Sequence, residues 1–149
     1  MKRRRRSGFS FIEVMFAIFM VAISASIVAA TLPISTNARA RADYGNKATG
    51  LIQKQLEAIR GLGYQNATAA QLYSNGIIDS TTTVATNTYA FSNSDSTARD
   101  NPARILPSGT GTVKVEQVDL DLRRITVTVS WVDRGTNRSI VDGTLIANL

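Results

Sequence analysis

The chain has 149 residues and a formal charge of +6, from 17 Lys and Arg against 11 Asp and Glu, with no histidine and no cysteine. The absence of cysteine excludes disulfides and thiolate metal sites, and the absence of histidine removes the commonest general base and nitrogen ligand. Five of the bases stand in Lys2-Arg3-Arg4-Arg5-Arg6, so the rest of the chain carries 17 − 5 = 12 against 11 and is nearly neutral. The basic balance therefore belongs to the amino terminus, and it gives no support to nucleic-acid binding: the remainder contains no Lys/Arg cluster with interleaved aromatics.

After the basic stretch and Gly8, the sequence Phe9-Ser10-Phe11-Ile12-Glu13-Val14 opens an apolar run from Val14 to Leu32 whose only polar members are Ser24, Ser26 and Thr31. Its length reaches the roughly 18 to 20 residues of a spanning helix. Serine and threonine cost little there, since their hydroxyls can bond back to the preceding turn. Basic residues before an apolar span stay on the cytoplasmic side, so the chain beyond Leu32 is expected to face outward. An ordinary secretory signal is the plain alternative. It has no place for Glu13, a carboxylate among apolar neighbours that would cost up to about 3 kcal/mol unpaired at the bilayer centre.

Gly8-Phe9-Ser10-Phe11-Ile12-Glu13-Val14, with the short basic leader before it and the apolar run after it, resembles the class III signal of type IV pilins and pseudopilins. In that family a prepilin peptidase cuts after the glycine and methylates the new terminal residue. The resemblance implies cleavage between Gly8 and Phe9, N-methylation of Phe9, and an assembly role for Glu13, the fifth residue counted from Phe9.

Beyond the span, Pro33 removes a backbone donor and is expected to kink the helix near Leu32. Ala38, Ala42, Ala48, Leu51, Ile52, Leu56, Ile59 and Leu62 recur in steps rich in three and four, which predicts an amphipathic continuation with one face on a core. Gly61 and Gly63 supply its carboxy-terminal stop. The segment Leu51 to Tyr64 further resembles the helix end of PilV-like minor pilins and of the I-type minor pseudopilin of type II secretion.

Residues 80 to 97 hold ten serines or threonines, too polar for a core of their own. A surface loop over 65–111 is expected, with one edge strand between Val84 and Phe91. Val113 and Val115 change phase to Val118, Leu120 and Leu122, so a bulge or turn near Glu116-Gln117 is expected. Ile125, Val127, Val129 and Trp131 alternate with Thr126, Thr128 and Ser130, the period of a strand with one buried face. Asp133 to Asn137 supplies a turn, and Val141, Leu145, Ala147 and Leu149 are expected to face the core on the return. Asp119 and Asp121 are expected to alternate along a strand. Two carboxylates without converging oxygens read better as exposed strand residues than as a calcium site, and Arg123-Arg124 reads as a solvated turn.

The expected protein is α+β and pilin-like: a leader over 1–8, removed; a membrane-spanning half-helix over 9–35; an amphipathic half over 36–64; a polar loop region over 65–111; and a sheet of three or four strands over 112–149. The resemblance implies a structural, non-enzymatic minor pilin or pseudopilin without a cofactor. It would be stored in the bacterial inner membrane with its amino terminus cytoplasmic and its carboxy-terminal part periplasmic or extracellular. Its partners would be prepilin peptidase, an inner-membrane assembly platform, membrane lipid and other pilins, in a type IV pilus or a type II secretion pseudopilus. The tip pseudopilin of the family tends to lack the glutamate, so Glu13 implies a place beneath another subunit. The alternative is a minor pilin that binds a ligand, as an adhesin or in DNA uptake, through its 65–111 region.

Overall fold

The computed structural model describes residues 10–94 and 100–148. The chain divides into two compact units, Met1–Ala40 and Arg41–Leu149, and helix α1, Phe11–Asn66, contributes to both. Helical backbone continues through Pro33, and the departure from helical angles inside α1 falls at Gly63, with φ 73° and ψ 175°.

In the first unit, α1 is apolar all round. Every side chain described between Ser10 and Thr31 is exposed, including Phe11, Phe16, Ile18, Phe19, Ile23 and Ile27. The hydroxyls behave as expected of an apolar setting: Ser24 Oγ donates to the Met20 carbonyl at 2.8 Å, Ser26 Oγ to Ala22 at 2.8 Å and Thr31 Oγ1 to Val28 at 3.0 Å.

The second unit is built on the amphipathic half of α1 and an antiparallel sheet of five strands in sequential order. These are β1 (Thr83–Ala85), β2 (Thr88–Ala90), β3 (Thr110–Asp119), β4 (Leu122–Asp133) and β5 (Thr136–Ala147), with short helices α2 (Ala69–Ser74) and α3 (Pro102–Ile105) between them. The core face of α1 starts later than the apolar series suggested: Ala38 and Ala42 are exposed, whereas Ala48, Leu51, Ile52, Leu56 and Ile59 are buried. They pack with Val113, Ile125, Val127, Val129 and Trp131 from the sheet. Strand β4 is central, its odd-numbered residues Ile125 to Trp131 all buried and its even-numbered ones half-buried. Trp131 is a core residue at 5% exposure, and its indole Nε1 has no acceptor among the described residues.

Two expectations are corrected. The region 65–111 holds two strands rather than one, because Thr86-Asn87 turns the chain with Asn87 at φ 51°, and the sheet consequently has five strands. This region also reaches the core, through Leu72, Ile78, Phe91 and Leu106. The bulge or turn expected near Glu116-Gln117 is present, by contrast, as a register shift of β3 between Gln117 and Asp119, after which Leu120 sits exposed in the turn to β4. On β5 the apolar face is the opposite one: Ile140 and Ile146 pack inward, while Val141, Leu145 and Ala147 face out. The register Val129↔Ile140 decides this, since residues directly paired across an antiparallel ladder share a face.

Candidate processing and assembly site

Gly8 and Phe9, the residues on which cleavage and methylation are expected, lie outside the described residues. Glu13 lies within them, in the first turn of α1. Its N–H donates to the Ser10 carbonyl at 3.0 Å, and the Val14 N–H reaches the same oxygen at 3.2 Å. Ser10 and Glu13 also have the Ser-x-x-Glu spacing of a capping box, a second local signal in the same short segment. An acidic residue in a first helical turn complements the helix dipole, an effect of about 0.3–1 kcal/mol at an exposed site. The helix start thus offers one reason for a carboxylate here. It does not remove the cost of desolvating that carboxylate, because Glu13 stands exposed among Phe11, Ile12, Val14, Met15 and Phe16, themselves exposed.

The other polar residues singled out by sequence have local duties in the second unit. Arg123 is not a solvated turn residue: it lies in β4, and its Nη1 donates to the carbonyls of Tyr64 at 2.8 Å and Ala67 at 3.0 Å. Its guanidinium stands 4.4 Å from the Tyr64 ring centroid, and Tyr64 Oη donates to the Leu120 carbonyl at 2.5 Å. After Gly63 leaves helical geometry, these contacts collect carbonyls that the end of α1 would otherwise leave unsatisfied. Arg124 is exposed.

Asp119 and Asp121 do not alternate along one strand. The first ends β3 and accepts the Leu120 N–H at 2.7 Å, and the second lies in the β3–β4 turn and accepts from the Asn148 amide at 3.1 Å. Among the described residues no group of three or more His, Cys, Asp or Glu converges as a metal site would require. Asp133, 6% exposed at the end of β4, is faced by two guanidinium groups, Arg41 Nε at 3.0 Å and Arg138 Nε at 3.3 Å. No local pattern marks that cluster, since Arg41 and Asp133 are distant along the chain.

Against this geometry, residues 3–29 match the prokaryotic N-terminal methylation motif. No curated protein and no solved structure matches the chain. The chain carries a prepilin-type signal. That signal supports a type IV pilin-like subunit processed by prepilin peptidase and assembled with other pilins, and it points to a structural rather than an enzymatic family. Helix α1 is long and apolar enough to cross a membrane, and none of its apolar window is buried in the structure. Signal and helix together fit membrane anchoring.

Proposed function

We propose that this chain is a structural minor pilin or pseudopilin, cut between Gly8 and Phe9, N-methylated on Phe9, and assembled through Glu13 into a type IV pilus or a type II secretion pseudopilus. The observation that carries the reading is the coincidence of the methylation motif over residues 3–29 with an α1 start that is apolar and exposed on every side apart from Glu13. A helix of that kind is stable only in lipid or against other apolar helices. A filament core of packed helices and a bilayer both meet that need, and the subunit would pass from one to the other. The resemblance of Leu51 to Tyr64 to minor pilins favours a priming component over the major subunit, and Glu13 favours a place beneath another subunit.

Within such a core Glu13 requires a cation, and cleavage creates one, the amine of Phe9. The two are four residues apart in the same chain, but pairing with the amine of the adjoining subunit would also set axial register. Removing one member of a buried pair costs on the order of 3–5 kcal/mol, enough to decide assembly.

Co-expression with a prepilin peptidase, followed by intact mass and amino-terminal sequencing of the membrane form, tests the processing step. The expected product begins at Phe9 with a methylated amine, and Gly8→Val accumulates uncut precursor. A mature terminus near Thr31 would instead show a secreted domain released from a signal peptide. For the assembly step, Glu13→Val is expected to be inserted and cleaved normally while its crosslinking to neighbouring pilins falls at least roughly tenfold. Wild-type crosslinking of the cleaved variant would show that the carboxylate is not the assembly contact.

A further inference from the structure

The two edges of the sheet differ. At one edge β1 has three residues and an irregular register with β2. At the other, β5 runs for 12 residues, pairs with β4 without a register shift from Leu122↔Ala147 to Asp133↔Thr136, and contains no proline. Short strands, bulges and prolines are the usual protection of a sheet edge. β1 has two of the three and β5 has none, its only edge charges being Arg138 and Asp142 on the face of Ile140.

The turn between β4 and β5, Arg134-Gly135 with φ values of 52° and 79°, is a two-residue hairpin turn, so the closing pair Asp133↔Thr136 is hydrogen-bonded. It follows that the even-numbered residues of β5 direct their N–H and C=O groups to β4, and residues 137, 139, 141, 143 and 145 direct theirs away from the sheet. The Gly143 N–H agrees, since its acceptor is the Asp142 side chain, Oδ1 at 2.7 Å, and not β4.

We infer that β5 is a self-pairing edge, joining the β5 of a second copy of this chain in an antiparallel ladder centred on Ile140. Hydrogen-bond parity allows only registers that oppose odd-numbered residues to odd-numbered ones. Centring on Arg138 or on Asp142 would set like charges opposite each other, which is unfavourable. Centring on Ile140 sets Arg138 opposite Asp142 of the second copy, twice by symmetry, at non-hydrogen-bonded positions where side chains approach closest. The same register places the two half-buried Ile140 side chains face to face and forms about eight main-chain hydrogen bonds over 137 to 143. Asp142 would release the Gly143 N–H to the ladder as it turns to the incoming Arg138, and Arg138 has donors beyond the Nε that faces Asp133. The self-complementary surface is what a two-fold contact requires. This pairing does not rest on the filament reading, and it can succeed or fail while processing at Gly8 does the opposite.

Because the chain has no cysteine, single cysteines report the register without background. In the full-length protein in native membranes, Ile140→Cys is expected to form a covalent dimer on mild oxidation, and Thr136→Cys is not, since the ladder separates the two copies of residue 136 by about eight residues of strand, roughly 27 Å. Asp142→Lys, added to Ile140→Cys, is expected to lower dimer yield about tenfold, because Arg138 would then face a lysine. Should Ile140→Cys disturb the core, the exposed pair serves instead: tagged Ser139→Cys mixed with untagged Val141→Cys is expected to give the mixed dimer. No dimer from either arrangement overturns the inference, as does equal crosslinking at 136 and 140 or indifference to Asp142→Lys.

Discussion

Ile27 and Ile59 belong to the same helix, yet the first is 60% exposed and the second fully buried. The difference lies in what surrounds each along the chain. Around Ile27 the only polar neighbours are Ser24, Ser26 and Thr31, whose hydroxyls bond back to the helix, so no face is distinguished and the described side chains there are all exposed. Around Ile59 polar residues such as Lys54, Glu57 and Arg60 alternate with Leu51, Ile52 and Leu56 at helical spacing, so one stripe is selected for the sheet. A uniform helix takes its partner from outside the chain, whereas an amphipathic one brings its partner from the same chain.

One probe can test both halves of the helix. Trp131 is the only tryptophan and sits in the core of the second unit, so its fluorescence in the full-length protein in detergent follows the unfolding of that unit. Ile59→Ala is expected to lower its stability by about 2–5 kcal/mol, the range for truncating a buried isoleucine. A loss below about 1 kcal/mol would mean that the helix and sheet do not depend on each other, and the contrast between the two halves of α1 would disappear.

Much of this contrast was legible in the sequence, because the first half of α1 is a uniform apolar run while its second half and the inner strand β4 each have a clear period. Ile125, Val127, Val129 and Trp131 alternate without exception, and burial follows them. The β5 face was misread for a definite reason. Ile140-Val141 and Leu145-Ile146 are adjacent apolar doublets, so either parity offers an apolar face, and only pairing with β4 resolves the tie. The Ser/Thr-rich stretch hid the β1–β2 hairpin because its strands are short and gain order from Phe91, whose N–H donates to the Gly111 carbonyl at 2.9 Å. Arg123 could not have been placed, since its acceptors Tyr64 and Ala67 lie far away along the chain. The prepilin-type signal was legible as a motif, and residues 3–29 match the N-terminal methylation motif, while the cluster at Asp133 depends wholly on tertiary structure.

A smaller effect is expected where α1 ends. Gly63 has φ 73° and ψ 175°, a region that only glycine occupies without strain, and a Cβ there would meet nothing within 4 Å. Gly63→Ala should therefore cost about 1–3 kcal/mol through backbone strain alone. Gly61, in helical geometry and exposed, is the control, and Gly61→Ala is expected to be neutral or slightly stabilising. If the two variants unfold alike, the break at Gly63 does not shape the turn that delivers Tyr64 to Arg123.

The smallest effect belongs to the other isoleucine. Ile27→Ala removes the same atoms as Ile59→Ala from the same helix, but from a side chain that is exposed and outside the core cluster, so the fluorescence transition of Trp131 is expected to move by less than about 0.5 kcal/mol. The lost apolar surface should matter only to the helix's surroundings, and then weakly, because one truncated side chain changes little in a span of this length. Membrane extraction by carbonate, measured on the same variant, should accordingly match the unsubstituted protein. A shift of the Trp131 transition as large as that of Ile59→Ala would show that the apolar half of α1 is packed within its own chain, and the requirement for lipid or a neighbouring helix would lose its basis.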